Sequence, residues 1–365
     1  MRFWIGTYPS QDGVVPADEG VWRVDLLDDG TLVDRGRAAP LAQASFVALH
    51  PTLPVLYATQ ELEPGGAVAA FAIGDPDDTA TALRPLATAS AGGGFPCHLE
   101  PLGAELLVSC YGSGAPGSAV LGSVPLTSDG SPAADAQVHA HDGATGPRTD
   151  RQEASHVHSA TLAPDGTHAW AADLGTDQLV RYRVTGAGIE PDGVTLAMPA
   201  GSGPRHLVVL PDGVAIVACE LDSTVAVVRL PGESGAGEVL QVLPACATPA
   251  GDGPSQPSHL TLNDAGTRLH VGVRGQDVLA TFAVARGTDG VTLTHLADTP
   301  CGQWPRHHAV LAGGTAATAV TTADVVVVAA QGSHELVAIE VGADGAGREL
   351  SRLTLPVRPS CVVPV

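Results

Sequence analysis

"GPRHLVVLPDG" (203–213) sets a Pro-Arg-His triplet before a short apolar run and a Pro-Asp-Gly turn, and "WPRHHAVLAGG" (304–314) repeats the arrangement. A brief apolar run closed by such a turn reads as a β-strand entering a hairpin. Asp tolerates the tight geometry and Gly supplies positive φ. Aligned on the slot of His206, the same phrase recurs at Phe46, His98, Ser159, His259, His307 and Cys361. In chain order the seven anchors are 52, 61, 47, 53, 48 and 54 residues apart. A period of about fifty residues lies in the range of propeller repeats.

Each unit continues alike. A second apolar strand ends in a polar residue ("LYATQE", "LLVSCY", "AWAAD", "AIVACE", "LHVGVR", "VVVVAAQ"), and two further strand-like runs precede the next anchor. No stretch carries a helical apolar period. Four short strands per unit, seven times over, predict an all-β, seven-bladed propeller with four antiparallel strands per blade. The final "PSCVVPV" is a first strand only, whereas "RFWIGTY" reads as a second strand. The two ends are therefore expected to share one blade and close the ring, leaving no free edge there. Residues 1–365 are read as a single propeller domain. The stretch 113–152, rich in Gly, Ala, Ser and Asp, departs from the period and is expected to loop over one face.

Composition narrows the function. A formal net charge of −21 disfavours nucleic acid or an anionic membrane as partner. No apolar run reaches membrane-spanning length, and "MRFWIGTY" has no signal-peptide pattern, so a cytoplasmic location is expected. The six cysteines form no C-x-x-C pair and read as buried, reduced thiols. The sequence carries no signal for an oligomeric state.

First strands line the channel of a propeller, so the residue before each anchor occupies an equivalent place at one mouth: Ser45, Cys97, His158, Arg205, Ser258, Arg306 and Ser360. The second-strand ends supply another ring: Tyr8, Glu61, Tyr111, Asp173, Glu220, Arg274 and Gln331. Arginines, a histidine and carboxylates converging on one cavity are costly unless they pair or bind something. A purely structural network would pair Arg205 with Glu220 and Arg274 with Asp173. The anchor histidines His98, His206, His259 and His307 are expected to point sideways between blades as packing residues. "HVH" (156–158) puts two imidazoles on one strand face, but the neighbouring arginines disfavour a cation, and neither metal nor cofactor is expected.

The runs "FWIGTY", "RQEASHVHSATLAPDGTHAWAADLGTD", "GPRHLVVLPDG", "ELDSTVAV", "SHLTLNDAGTRLHVGVRG", "PRHHAVL" and "AAQGSHELVAIEV" resemble, in order, the seven-bladed propeller lactonase family. That family includes propeller-type 6-phosphogluconolactonases and the fungal carboxy-cis,cis-muconate lactonizing enzyme. The resemblance implies an active site of His158, Arg205, Glu220 and Arg274, with His156 as the lesser choice for the histidine. Departures are Ser155, where relatives often have proline, and "VRG" and "AQG" for Asn-Arg-Gly and Asn-Gln. The expected activity is hydrolysis of a sugar lactone or related lactone bearing an anionic group. His158 would serve as general base with a pKa near the working pH, and Glu220 would orient an arginine or protonate the leaving alkoxide. Arg205 and Arg274 would hold the anion and the developing oxyanion. His156, Arg306, Asp173, Gln331 and Tyr111 complete the expected binding set. Alternatives are a carboxymuconate-type cycloisomerase using the same groups and a non-catalytic binding platform. The aromatic content of 4% speaks against the platform, which needs aromatic hot spots on a rim.

Overall fold

The computed structural model describes residues 1–10, 19–75, 82–115, 117–141, 143–186, 188–232, 235–249, 254–287, 290–311 and 323–365. They form seven four-stranded antiparallel sheets, the blades of a propeller. Blade 1 is closed by both ends of the chain, Arg358–Pro364 pairing with Arg2–Tyr8 in the register Trp4↔Val363 and Ile5↔Val362. The only helical element among the described residues is a single 3-10 turn, Gln331–Ser333. The expected fold and its closure hold.

Blade 5 shows why these residues make these strands. From the axis outward its strands are Pro204–Val209, Val214–Cys219, Thr224–Arg229 and Glu238–Pro244. The second strand is buried throughout and the fourth is half exposed. An inner strand covered on both faces needs continuous apolar residues rather than alternation. The same holds for "DVVVVAA" of blade 7, Asp324–Ala330, where every residue is buried. The Gly of the first hairpin turn sits at positive φ in blades 4, 5 and 6: Gly166 (71°), Gly213 (73°) and Gly266 (63°). The corresponding "AGG" turn of blade 7 falls outside the described residues.

The core lies between blades. Ile216 and Val227 of blade 5 pack on Val271 and Phe282 of blade 6, and Phe3 and Ile5 of blade 1 on Val325 and Val327 of blade 7. Each such side chain contributes about 1.5–3 kcal/mol on burial. Hydroxyls lock neighbouring first strands: Ser159, Ser258 and Ser360 donate to the carbonyls of Arg205 (2.7 Å), Pro305 (2.6 Å) and Ser45 (2.7 Å) on the next blade. The six cysteines are free thiols, and all but Cys246 are buried.

Two expectations need correction. The stretch 113–152 is only partly loop, because Val120–Pro125 and Gln137–Ala140 are the outer strands of blade 3. The anchor histidines do not point sideways. With Phe46 they meet on the axis: the ring centroids lie 4.6 Å apart for Phe46–His98, 5.2 Å for His98–His206, 5.1 Å for His206–His259 and 3.8 Å for His259–His307. The cause is a repeated β-bulge. The register slips between Pro96 and His98, Val157 and Ser159, Pro204 and His206, and Pro305 and His307. An extra residue breaks strict alternation and re-aims side chains. The anchors Phe46, His98, His206, His259 and His307 thus fill the channel, while the extra residues Cys97, His158, Arg205 and Arg306 stand beside that plug.

Candidate active site

The Gly-Pro-Arg-His phrase builds the floor of the site. Gly203 takes a left-handed φ of 61°, its N–H donates to Asp177 Oδ1 (2.8 Å), and its carbonyl accepts from the N–H of Glu220 (2.8 Å). Pro204 opens the strand, the bulge projects Arg205, and the end of the second strand presents Glu220 alongside.

Glu220 is the hub. Its Oε2 lies 2.8 Å from Arg205 Nε and accepts from Arg274 Nη2 at 2.7 Å, while Oε1 accepts from Arg151 Nη2 at 2.7 Å. Arg205 also donates through Nη1 to the Ser258 carbonyl, and Arg274 through Nε to the Gln256 carbonyl (3.2 Å). The Arg274 guanidinium stacks 5.4 Å from the centroid of Trp304. Arg306 donates to the Tyr8 hydroxyl (2.8 Å) and lies over its ring, and Tyr8 donates to Glu61 (2.6 Å). Arg205 and Arg306 line one small void on the axis together with Cys97, Phe46 and His307.

The charges explain the protonation states. Burial alone would raise the Glu220 carboxyl, but Arg274, then Arg205, His158 and Arg151, hold it well below the usual range. Glu220 is therefore an ionised carboxylate that orients guanidiniums, and the expected role of protonating an alkoxide does not suit it. Burial, then Arg274, brings Arg205 down to about 9, which leaves it cationic at neutral pH. His158 is pushed well below 6.5 by burial and then by Arg205. The expectation of a pKa near the working pH is thus overturned: the imidazole is neutral, with Nδ1 3.9 Å from Cys97 Sγ. A neutral ring can accept a proton.

The remaining candidates divide. Tyr111 is half-buried at the mouth, its hydroxyl 3.3 Å from Arg151 Nη2. His156 stacks on Tyr111 (4.2 Å), and both ring nitrogens are engaged, Nδ1 with the Tyr111 carbonyl (2.8 Å) and Nε2 with Glu153 (3.2 Å). It positions Tyr111 and is not free for a ligand. Asp173 is fully buried and does not pair with Arg274. Its oxygens accept from Ser155 (2.6 Å), from the backbone N–H groups of His156, Gly175 and Thr176, and lie 3.0 Å from His141 Nδ1. That set of donors saturates it, so the expected binding role is corrected to a structural one. Gln331 heads the 3-10 turn and lines a cleft of about 410 Å³ together with Trp304.

Arg151 escaped the sequence reading because it sits on a loop outside both strand rings. Gln152, buried beside it, fixes that loop by donating to the Leu174 carbonyl and to Asp177 (both 2.8 Å). Its place in "RQEASHVH", next to the H-x-H pair, was the available signal.

A closed ring of seven blades with arginines gathered on one mouth defines the class, and the comparisons agree. Residues 2–364 match the family described as "Lactonase, 7-bladed beta-propeller", and the chain belongs to that family. It is 28% identical over 307 residues to the 6-phosphogluconolactonase of Bacillus subtilis, covering 83% of each chain. Among solved structures it resembles the periplasmic gluconolactonase of Pseudomonas aeruginosa (25% identity, TM-score 0.83, 99% of this chain and 98% of that one). A protein from Lactobacillus plantarum is also similar (26% identity, TM-score 0.80, 99% and 98%).

Proposed function

We propose that this protein hydrolyses a lactone that carries an anionic group, in the manner of a 6-phosphogluconolactonase. The observation that carries the reading is the charge balance at the mouth. Among the described residues four guanidiniums, Arg151, Arg205, Arg274 and Arg306, are bonded to two carboxylates, Glu220 directly and Glu61 through Tyr8. Arg205 and Arg274 are buried and share one carboxylate, and Arg151 and Arg306 are half-buried; desolvating cations in excess of carboxylates is costly, which favours an anionic ligand. Local guanidiniums prevail over the acidic surface, because screening confines that surface's field to about 8 Å at physiological ionic strength.

In this reading the fork of Arg274 and the end of Arg205 hold the substrate's anion and the oxyanion, each already aimed by Glu220. Water attacks the lactone carbonyl and its proton passes to His158. The tetrahedral oxyanion collapses, the ring C–O bond breaks, and the protonated imidazole returns the proton to the leaving alkoxide, yielding a hydroxy acid. Binding an anion on Arg205 also cancels part of what depresses His158, which strengthens it as a base when substrate is present. Arg151, at the rim, guides the anion inward, and Arg306 assists from across the axis. Six unpaired thiols suit a reducing compartment such as the cytoplasm, and no helix among the described residues is long and apolar enough to cross a membrane.

Stopped-flow hydrolysis of 6-phospho-D-glucono-δ-lactone tests the assignment. Arg274→Ala is expected to lower kcat by about 10²–10³, and His158→Ala by about 10²–10⁴. Variants that turn over at the wild-type rate would remove the site. Turnover of a carboxymuconate without lactone hydrolysis would assign the same groups to cyclisation.

A further inference from the structure

We infer that Trp304 and Gln331 form a second substrate subsite, which holds the hydroxyl-bearing body of the lactone while the arginine cluster holds its anion. The inference rests on the hydrolase reading above.

Beside the cluster lies an open cleft of about 410 Å³ with Trp304, Gln331, Asp277, His334 and Arg358 on its walls. Two contacts join it to the arginines. Trp304 carries the Arg274 guanidinium 5.4 Å from its ring centroid, and Arg358 lies 6.0 Å from the centroid of Tyr8, whose hydroxyl binds Arg306. A ligand with its charge on Arg274 can extend along Trp304, which touches both, into the cleft.

Trp304 is retained there against backbone preference. It has a φ of 55°, in the left-handed region that disfavours bulky side chains, and its N–H is tied to Asp277 Oδ1 at 2.8 Å. The equivalent slot, just before a strand-opening proline, is Gly203 in blade 5 (φ 61°) and Phe95 in blade 3 (φ 48°), so the backbone there accepts either glycine or an aromatic. Glycine therefore satisfies the fold at 304, and what the indole adds is its contacts. One thing it touches is Arg274; the other is the cleft. An aromatic wall with an adjacent polar group is how a pocket fixes a small ligand.

Gln331 supplies the polar group. Its amide oxygen is shielded from solvent and has no hydrogen-bond partner among the described residues. The terminal torsion of glutamine is soft, so a small rotation turns the amide into the cleft that the residue lines. An unpaired acceptor in such a place fits a substrate hydroxyl, and it selects against a lactone lacking one.

The test compares kcat/KM for 6-phospho-D-glucono-δ-lactone, which is anionic and polyhydroxylated, with that for its deoxygenated analogue, a δ-valerolactone that keeps the phosphate and lacks the ring hydroxyls. In the Gln331→Leu and Trp304→Gly proteins the ratio of the two is expected to fall at least tenfold, chiefly through KM for the hydroxylated lactone. Trp304→Gly is expected to fold, because Gly203 already serves the same backbone geometry, and a thermal melt checks this. A ratio unchanged within twofold in both variants overturns the subsite while leaving the hydrolase reading intact. A wild-type protein that opens neither of these lactones overturns the hydrolase reading instead, and the subsite with it.

Discussion

Lowering the pH from 7 to 5 is expected to unfold this protein through its buried histidines, opposed by one carboxyl, Glu100, which burial pushes up to about 7. The channel holds His98, His206, His259 and His307, with His158 beside them and His308 against His259, all at least nine-tenths buried except for His259, which is partly covered. Burial is the main cause lowering each of the six, with Arg205 adding to most and His270 to His308; His98 and His308 are pushed down to about 3 and the others well below 6.5. The sign follows from proton counting. Below 6.5 the unfolded chain protonates these imidazoles while the folded one does not, so stability is full above pH 6.5 and is lost as pH falls. Each group contributes a slope of up to about 1.4 kcal/mol per pH unit, and six together up to roughly 8 kcal/mol per unit. Against a typical net stability of about 5–15 kcal/mol, one to two units suffice. Urea denaturation at pH 8, 7, 6 and 5 measures it directly. His98→Phe provides the control. Phe46 fills the same slot in blade 2, and His98 Nδ1 has no hydrogen-bond partner among the described residues. The variant is expected to match the wild type at pH 8 and to flatten the acid slope. Equal stability at pH 8 and 5 would show that the plug is not a neutral imidazole stack.

Removing the hub carboxylate is the second large perturbation. Glu220→Ala leaves Arg205 and Arg274, 2% and 4% exposed, without their shared counterion. Truncating one partner of a buried ion pair costs about 3–5 kcal/mol. Activity is expected to fall with it, since both guanidiniums lose the group that aims them. Inorganic phosphate separates this cause from simple loss of packing: as an anion bound to the folded state it should restore more of the melting temperature in the variant than it adds to the wild type. A variant as stable as the wild type, or one indifferent to phosphate, would mean that the cluster neutralises itself some other way.

The fold was legible because the repeat writes itself seven times, and the closing blade followed from which strand each end supplied. The ring positions of Arg205, Glu220, Arg274 and Arg306 were legible for the same reason. The bulge was not. Nothing in "PRH" says that two consecutive side chains will share a face, so strict alternation points the anchor histidines between blades whereas the bulge turns them onto the axis. Asp173 and Glu220 end equivalent strands, yet one is consumed by Ser155, His141 and three backbone N–H groups and the other meets three guanidiniums. That difference arises from loops, which do not repeat. Arg151 was missed on the same ground.

The most direct measurement is a crystal structure with 6-phosphogluconate, the hydroxy acid product, soaked into the mouth. An anionic group is expected between Arg205 and Arg274, its oxygens about 2.7–2.9 Å from guanidinium nitrogens, with Arg151 turned from Glu220 toward the ligand. Density for the acid elsewhere on the ring, with both guanidiniums still engaged only by Glu220 and backbone carbonyls, would contradict the assignment.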